Sequence, residues 1–145
     1  MHITQISVFL ENKAGTLREL TEILGREKIN LLALSLADTS GFGIARFIVR
    51  SSDNEHAAAV LKQNGFIAKT NRVVCIRIPH KPMSLAAILA LLEQNGLSVE
   101  YTYSFCQSTL SDAVIIIRPS DCTKCEAVLD EGGIKTVSQE EVDTF

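Results

Sequence analysis

The chain has 145 residues, 46% of them hydrophobic and 21% charged, with a formal net charge of −3. That balance is globular rather than disordered, and the length fits one ordinary domain or two small ones. The charge offers no basic footprint for nucleic acid, and no apolar run reaches the roughly 18 residues of a membrane helix.

Residues 3–10 are rich in β-branched and apolar side chains and predict a strand. Thr16-Leu17-Arg18-Glu19 has the form of a capping box, and Leu17, Leu20, Ile23 and Leu24 follow at helical spacing. Gly25 and Asn30 end that helix or punctuate its exit. Residues 31–37 predict a second strand, Ser40-Gly41-Phe42-Gly43 a turn, and residues 44–50 a strand returning antiparallel. Ser52-Asp53-Asn54-Glu55 is expected to cap a second helix whose inner face is Ala58, Val60 and Leu61. Asn64-Gly65 stops it, and residues 66–69 form a short last strand. The second half repeats this order at 73–78, 85–95, 99–105, 113–117, 121–131 and 134–138. The expected class is α+β: two ferredoxin-like βαββαβ units, 1–70 and 71–145, each an antiparallel sheet with helices on one face.

The repeat is legible residue by residue at an offset of 68. Arg50-Ser51-Ser52-Asp53 falls on Arg118-Pro119-Ser120-Asp121, and Ala59-Val60-Leu61 on Ala127-Val128-Leu129. Leu17 falls on Leu85, Leu24 on Leu92 and Gly65 on Gly133. Only Thr70-Asn71-Arg72 separates the units. A short Asn-containing turn there would let 66–70 pair with 73–78 and send 134–138 back to the first sheet. The plainer alternative leaves each strand at home and bends the chain sharply at Asn71.

The loop Leu10-Glu11-Asn12-Lys13-Ala14-Gly15-Thr16-Leu17 is the first candidate site. Gly15 permits a tight turn or a close approach to a ligand. The amides of Thr16, Leu17 and Arg18 open a helix, whose N-terminus suits a small carboxylate. Asn12 and Asn30 offer carbonyl oxygens and amide hydrogens to a small polar ligand, and both are expected at the same end of the sheet. Asn30 serves equally well as a plain helix terminator.

Asn12-Lys13-Ala14-Gly15-Thr16-Leu17 and Ile29-Asn30-Leu31 resemble the ACT domain, a small amino-acid-binding regulatory module. Ala14 stands where that family often has Pro. The resemblance implies ligand contacts from Asn12, Lys13, Ala14, Gly15, Thr16, Leu17, Asn30 and Leu31. It also implies a ligand lying between one unit's loop and another unit's second strand. The strand Val99-Glu100-Tyr101-Thr102-Tyr103-Ser104 carries both tyrosines, two apart and so on one face, where Tyr101 and Tyr103 wall a pocket or simply pack. The second loop, His80-Lys81-Pro82-Met83-Ser84-Leu85, has Met83 in place of Gly15 and Ser98 in place of Asn30. A thioether filling the ligand's space there would leave one good site per chain.

Cys122-Thr123-Lys124-Cys125 has redox or metal spacing but lacks a second close pair of ligands; one thiol is expected to pack and the other to be exposed. The opening Met1-His2-Ile3-Thr4-Gln5 lacks the shape of a secretory signal, so a cytoplasmic protein with reduced Cys75, Cys106, Cys122 and Cys125 is expected. His56 is placed on the polar side of its helix, and Arg50 and Arg118 at solvent-facing strand ends. No catalytic motif, cofactor signature or metal set is evident. The expected function is a free-standing sensor of an amino acid: a homodimer, with a metabolic enzyme as a further partner. The alternative is a regulatory small subunit of an amino-acid biosynthetic enzyme such as acetolactate synthase, whose long second-half region has no evident match here.

Overall fold

The computed structural model describes residues 3–39, 41–106 and 112–145. Ser40, part of the expected turn, lies outside them. The chain divides into a first unit over Thr4–Asn71 and a second over Arg72–Phe145, with which Ile3, at the start of the first strand, is also grouped.

The first unit contains β1 (Ile3–Glu11), α1 (Thr16–Arg26), β2 (Ala33–Thr39), β3 (Phe42–Ile48), α2 (Asn54–Gln63) and the opening of β4 (Ile67–Pro79). Its strand order is β2-β3-β1-β4. The antiparallel register sets Leu10 against Gly43 and Gly43 against Asp38. Ile6, Val8 and Leu10 face the helices and pack with Leu20, Ile23, Leu24, Phe47, Val60 and Leu61. Burying such side chains supplies roughly 1.5–3 kcal/mol each before entropy is counted. The inner face of α2 is Ala57, Val60 and Leu61; Ala58, expected there, is only half-buried.

The second unit contains the rest of β4, then α3 (Ser84–Gln94), β5 (Val99–Ser104), β6 (Asp112–Pro119), α4 (Cys122–Glu131) and α5 (Gln139–Val142). Its core joins Val74, Ile76 and Ile78 to Ile88, Leu92, Ile117, Val128 and Leu129. The segment after α4 returns to its own unit: Thr136 bridges to Ile76, and the amide of Val137 donates to the Cys75 carbonyl at 2.8 Å. Both units therefore have the ferredoxin-like order, with β4 beside β1 in the first unit and beside β6 in the second.

The exchange of edge strands does not occur, and neither does the sharp bend at Asn71. β4 runs unbroken from Ile67 to Pro79. Asn71 is held in extended chain, its side-chain oxygen accepting from the Ser7 hydroxyl at 2.7 Å. Loop composition favoured a turn there, but continuous pairing on either side outweighs that local preference.

The short α5 has no counterpart in the first unit, and the repeat does not predict it. Ser138 and Glu141 form a reciprocal capping box at its start. Val142 is fully buried, and the Phe145 ring meets Phe105 edge-on at 5.2 Å.

Candidate functional site

The first loop is a tight turn into α1. Gly15 holds φ 91°, a left-handed conformation that favours glycine. A Cβ there would meet nothing closer than the Arg18 guanidinium at 3.8 Å, so backbone conformation rather than space explains the glycine. The expected capping box is absent. Gly15 is the N-cap, and the Thr16 hydroxyl donates to the Lys13 carbonyl at 3.2 Å. The Glu19 amide bonds back to the Gly15 carbonyl at 3.0 Å, leaving the amides of Leu17 and Arg18 at the open end of the helix.

Charges of both signs gather around those amides. The Lys13 ammonium lies 2.9 Å from Glu11, whose hydrogen bond and charge raise the Lys13 pKa. The Asn12 side-chain amide donates to Asp38 at 2.9 Å. Asp38 carries no local sequence signal for this place: it is distant in sequence and reaches the loop through the Leu10–Gly43–Asp38 row of the sheet. Between loop, α1 and the end of β2 lies a cavity of about 80 Å³, lined by Asn12, Lys13, Thr16, Leu17, Leu36 and Asp38 among others. A larger cleft of about 290 Å³ opens on the other side of the loop, toward Glu19 and residues 64–67. Ala14 is exposed, and Leu17 packs against the core as an anchor for the loop.

Asn30 and Leu31 do not join this cluster within the unit. They precede Ala33, which pairs with Ile48, while Asp38 at the far end of β2 pairs with Gly43. The stretch from Ala33 to Asp38 spans about 17 Å of strand. The expectation that Asn12 and Asn30 flank one end of the sheet is therefore incorrect. The helix returns the chain to the opposite end before β2 begins. Asn30 is exposed there, and Leu31 packs on the core.

The second loop reproduces the first almost bond for bond. Lys81 bonds back to Pro79, Ser84 to Lys81, and Ala87 to Met83, as Lys13, Thr16 and Glu19 do in the first. Met83 takes the left-handed position with φ 72°, at a cost of about 1–2 kcal/mol for a residue with a Cβ. Its side chain is 75% exposed, so it does not fill the loop as expected.

Tyr101 and Tyr103 are half-buried and stacked, with ring centroids 6.5 Å apart. A register shift between Val99 and Tyr101 decides their face. Val99 packs in the helix-side core with Ile115 and Ile117. After the shift Tyr101 stands opposite Arg118 and Tyr103 opposite Ile116, which turns both rings to the helix-free face. Within its unit this pair belongs to the sheet, apart from any loop.

Both cysteines of the Cys122–Cys125 pair are buried, contrary to the expected split. Burial pushes the Cys122 thiol up, and the Cys125 thiol up to about 11. The Cys122 sulfur lies 3.6 Å from the Arg72 carbonyl. These are packed thiols, poorly suited to act as nucleophiles. Among the described residues no group of three or more His, Cys, Asp or Glu side chains could hold a metal ion. Arg118 is half-buried rather than solvent-facing: it donates to the Arg72 carbonyl and lies 3.4 Å from Glu100. His56 is exposed as expected, 2.9 Å from Glu27.

A family model described as an ACT domain pair matches residues 1–145. A protein of known crystal structure from Bacteroides thetaiotaomicron is 40% identical, with TM-score 0.91 over 100% of this chain and 98% of that one. The regulatory subunit of aspartate kinase from Thermus thermophilus, in its ligand-free form, is 15% identical over 91% of each chain, with TM-score 0.67. The corresponding subunit from Thermus flavus is 15% identical over 88% of each chain, also with TM-score 0.67. At those two identities the likeness is one of fold. No curated protein matches the chain. No helix in the described residues is long and apolar enough to cross a membrane.

Proposed function

Because the chain belongs to the family of ACT domain pairs, a regulatory domain type, we propose that it binds a free amino acid at the first loop and passes that occupancy to a partner. The observation that carries this reading is the meeting of an open helix N-terminus with charges of both signs. The amides of Leu17 and Arg18 and the ammonium of Lys13 suit a carboxylate, while Glu11 and Asp38 suit an ammonium. A zwitterion is the small molecule that uses both.

In this reading Asn12 orients the ligand, Gly15 sets the turn, and Thr16 ties the loop. Asn30 joins only from a second copy, which brings the start of its β2 to the loop, and Tyr101 and Tyr103 join in the same way. The protein is a cytoplasmic homodimer without turnover of its own. Its output is a change in assembly or in affinity for a metabolic enzyme, which requires the ligand to favour one state. The fold shared with subunits described as regulatory supports an enzyme partner.

The test is thermal stability of the purified protein against each of the twenty amino acids. Ligand at 100 times its Kd adds about 2.7 kcal/mol, a shift of several degrees. One amino acid is expected to raise Tm, and Asn12→Ala is expected to abolish the rise. A flat panel overturns binding of a free amino acid.

A further inference from the structure

The 68-residue repeat pairs α1 with α3, and their outer faces differ in kind. Arg18, Glu19, Glu22 and Arg26 of α1 are matched by Ala86, Ala87, Ala90 and Gln94 of α3, and Thr21 by Leu89. On α1 these charges pair along the helix, Arg18 and Arg26 both with Glu22, as a solvated surface does. On α3 the alanines are exposed, Leu89 is 37% exposed, and Met83 one turn earlier is 75% exposed. Two helices in the same place in the same fold therefore present one charged and one apolar face.

Met83 adds an independent sign. It keeps a left-handed backbone where the first unit uses glycine, so its side chain is retained against conformational strain, yet it touches little of its own chain.

We propose that this face of α3 packs against α3 of a second copy, antiparallel across a two-fold axis near Ala87. The ends of the patch argue for that occupant. Lys81 lies just ahead of the helix and Glu93 near its end, both exposed and without an ion-pair partner among the described residues. An antiparallel pair centred on Ala87 sets Lys81 of each copy against Glu93 of the other, whereas a parallel pair sets like charges together. The central alanines allow helix axes to approach to about 8 Å. An 11-residue helix is about 16 Å long, so the contact is small and its association depends on concentration. This inference rests on the homodimer reading.

The experiment is sedimentation of the whole chain from about 5 to 500 μM, a range suited to a small interface. The wild type is compared with A86R/A87E/A90E, which installs side chains the first unit carries at the matching positions of the same fold. The wild-type mass should rise above monomer with concentration, and the triple variant should halve it at equal thermal stability. Met83→Gly should weaken association while raising the denaturation midpoint, a pair of opposite signs that a purely structural role does not produce. In a Cys106→Ser background, Ala87→Cys should oxidise to a covalent dimer. A monomeric wild type overturns both the homodimer reading and the α3 contact. An assembly that persists in the triple variant, or an Ala87→Cys chain that fails to cross-link, overturns the α3 contact alone.

Discussion

Gly15 and Met83 occupy equivalent left-handed positions and predict opposite mutational signs. Gly15→Ala should destabilise by about 1–2 kcal/mol although its Cβ has room, because the cost is backbone strain. Met83→Gly should stabilise the monomer by about 0.5–1 kcal/mol, the relief of strain less the added freedom of the unfolded chain. Denaturant midpoints measure both. The buried thiols set an alkaline limit. Cys75 is pushed up to about 12 and Cys125 to about 11 by burial, against an ordinary value of 9.0. Below pH 9 both states hold these protons. As pH rises above 9 the unfolded chain releases them first, so stability falls by about 1.4 kcal/mol per pH unit for each thiol, up to about pH 11 for Cys125 and about pH 12 for Cys75. A stability–pH profile should show this decline, and Cys75→Ala should roughly halve its slope between pH 9 and 11 and remove it above 11; an unchanged slope would contradict the assignment.

Helix starts show how similar sequences take different caps. Asp121 accepts from the Lys124 amide at 3.0 Å, so Asp121→Ala should cost about 1 kcal/mol. Thr16 resembles a capping residue but stands inside the helix with Gly15 as the cap, so Thr16→Ala should cost well under that in a chemical melt. The C-terminal α5 is small but anchored. Val142→Asp places a carboxylate at a fully buried position and should destabilise by several kcal/mol, whereas Glu140→Ala on the exposed side should stay within about 0.5 kcal/mol.

At the scale of the molecule, the separation of Asn12 from Asn30 along β2 makes the proposed site one that two copies share. Asn12→Ala and Asn30→Ala should each lose ligand binding. Mixed in equal amounts, they should regain part of it, since hybrid dimers rebuild one intact site from the two unmutated asparagines. Calorimetric stoichiometry on the mixture reads this directly. Failure to complement would leave the first loop as a site complete within one chain.

The repeat at offset 68, the class of each unit and the turn at Gly15 were legible in the sequence. They depend on periodicity and on local backbone preference, both written into neighbouring residues. The arrival of Asp38 beside Asn12, the distance of Asn30 and the turning of Tyr101 and Tyr103 to the helix-free face were not. Each depends on strand register, and a one-residue shift such as that after Val99 reverses which face a side chain takes. The joint at Thr70-Asn71-Arg72 reads locally as a turn, yet it is extended chain inside β4. Hydrogen bonds to residues far away in sequence decided it, and no window of neighbours contains them.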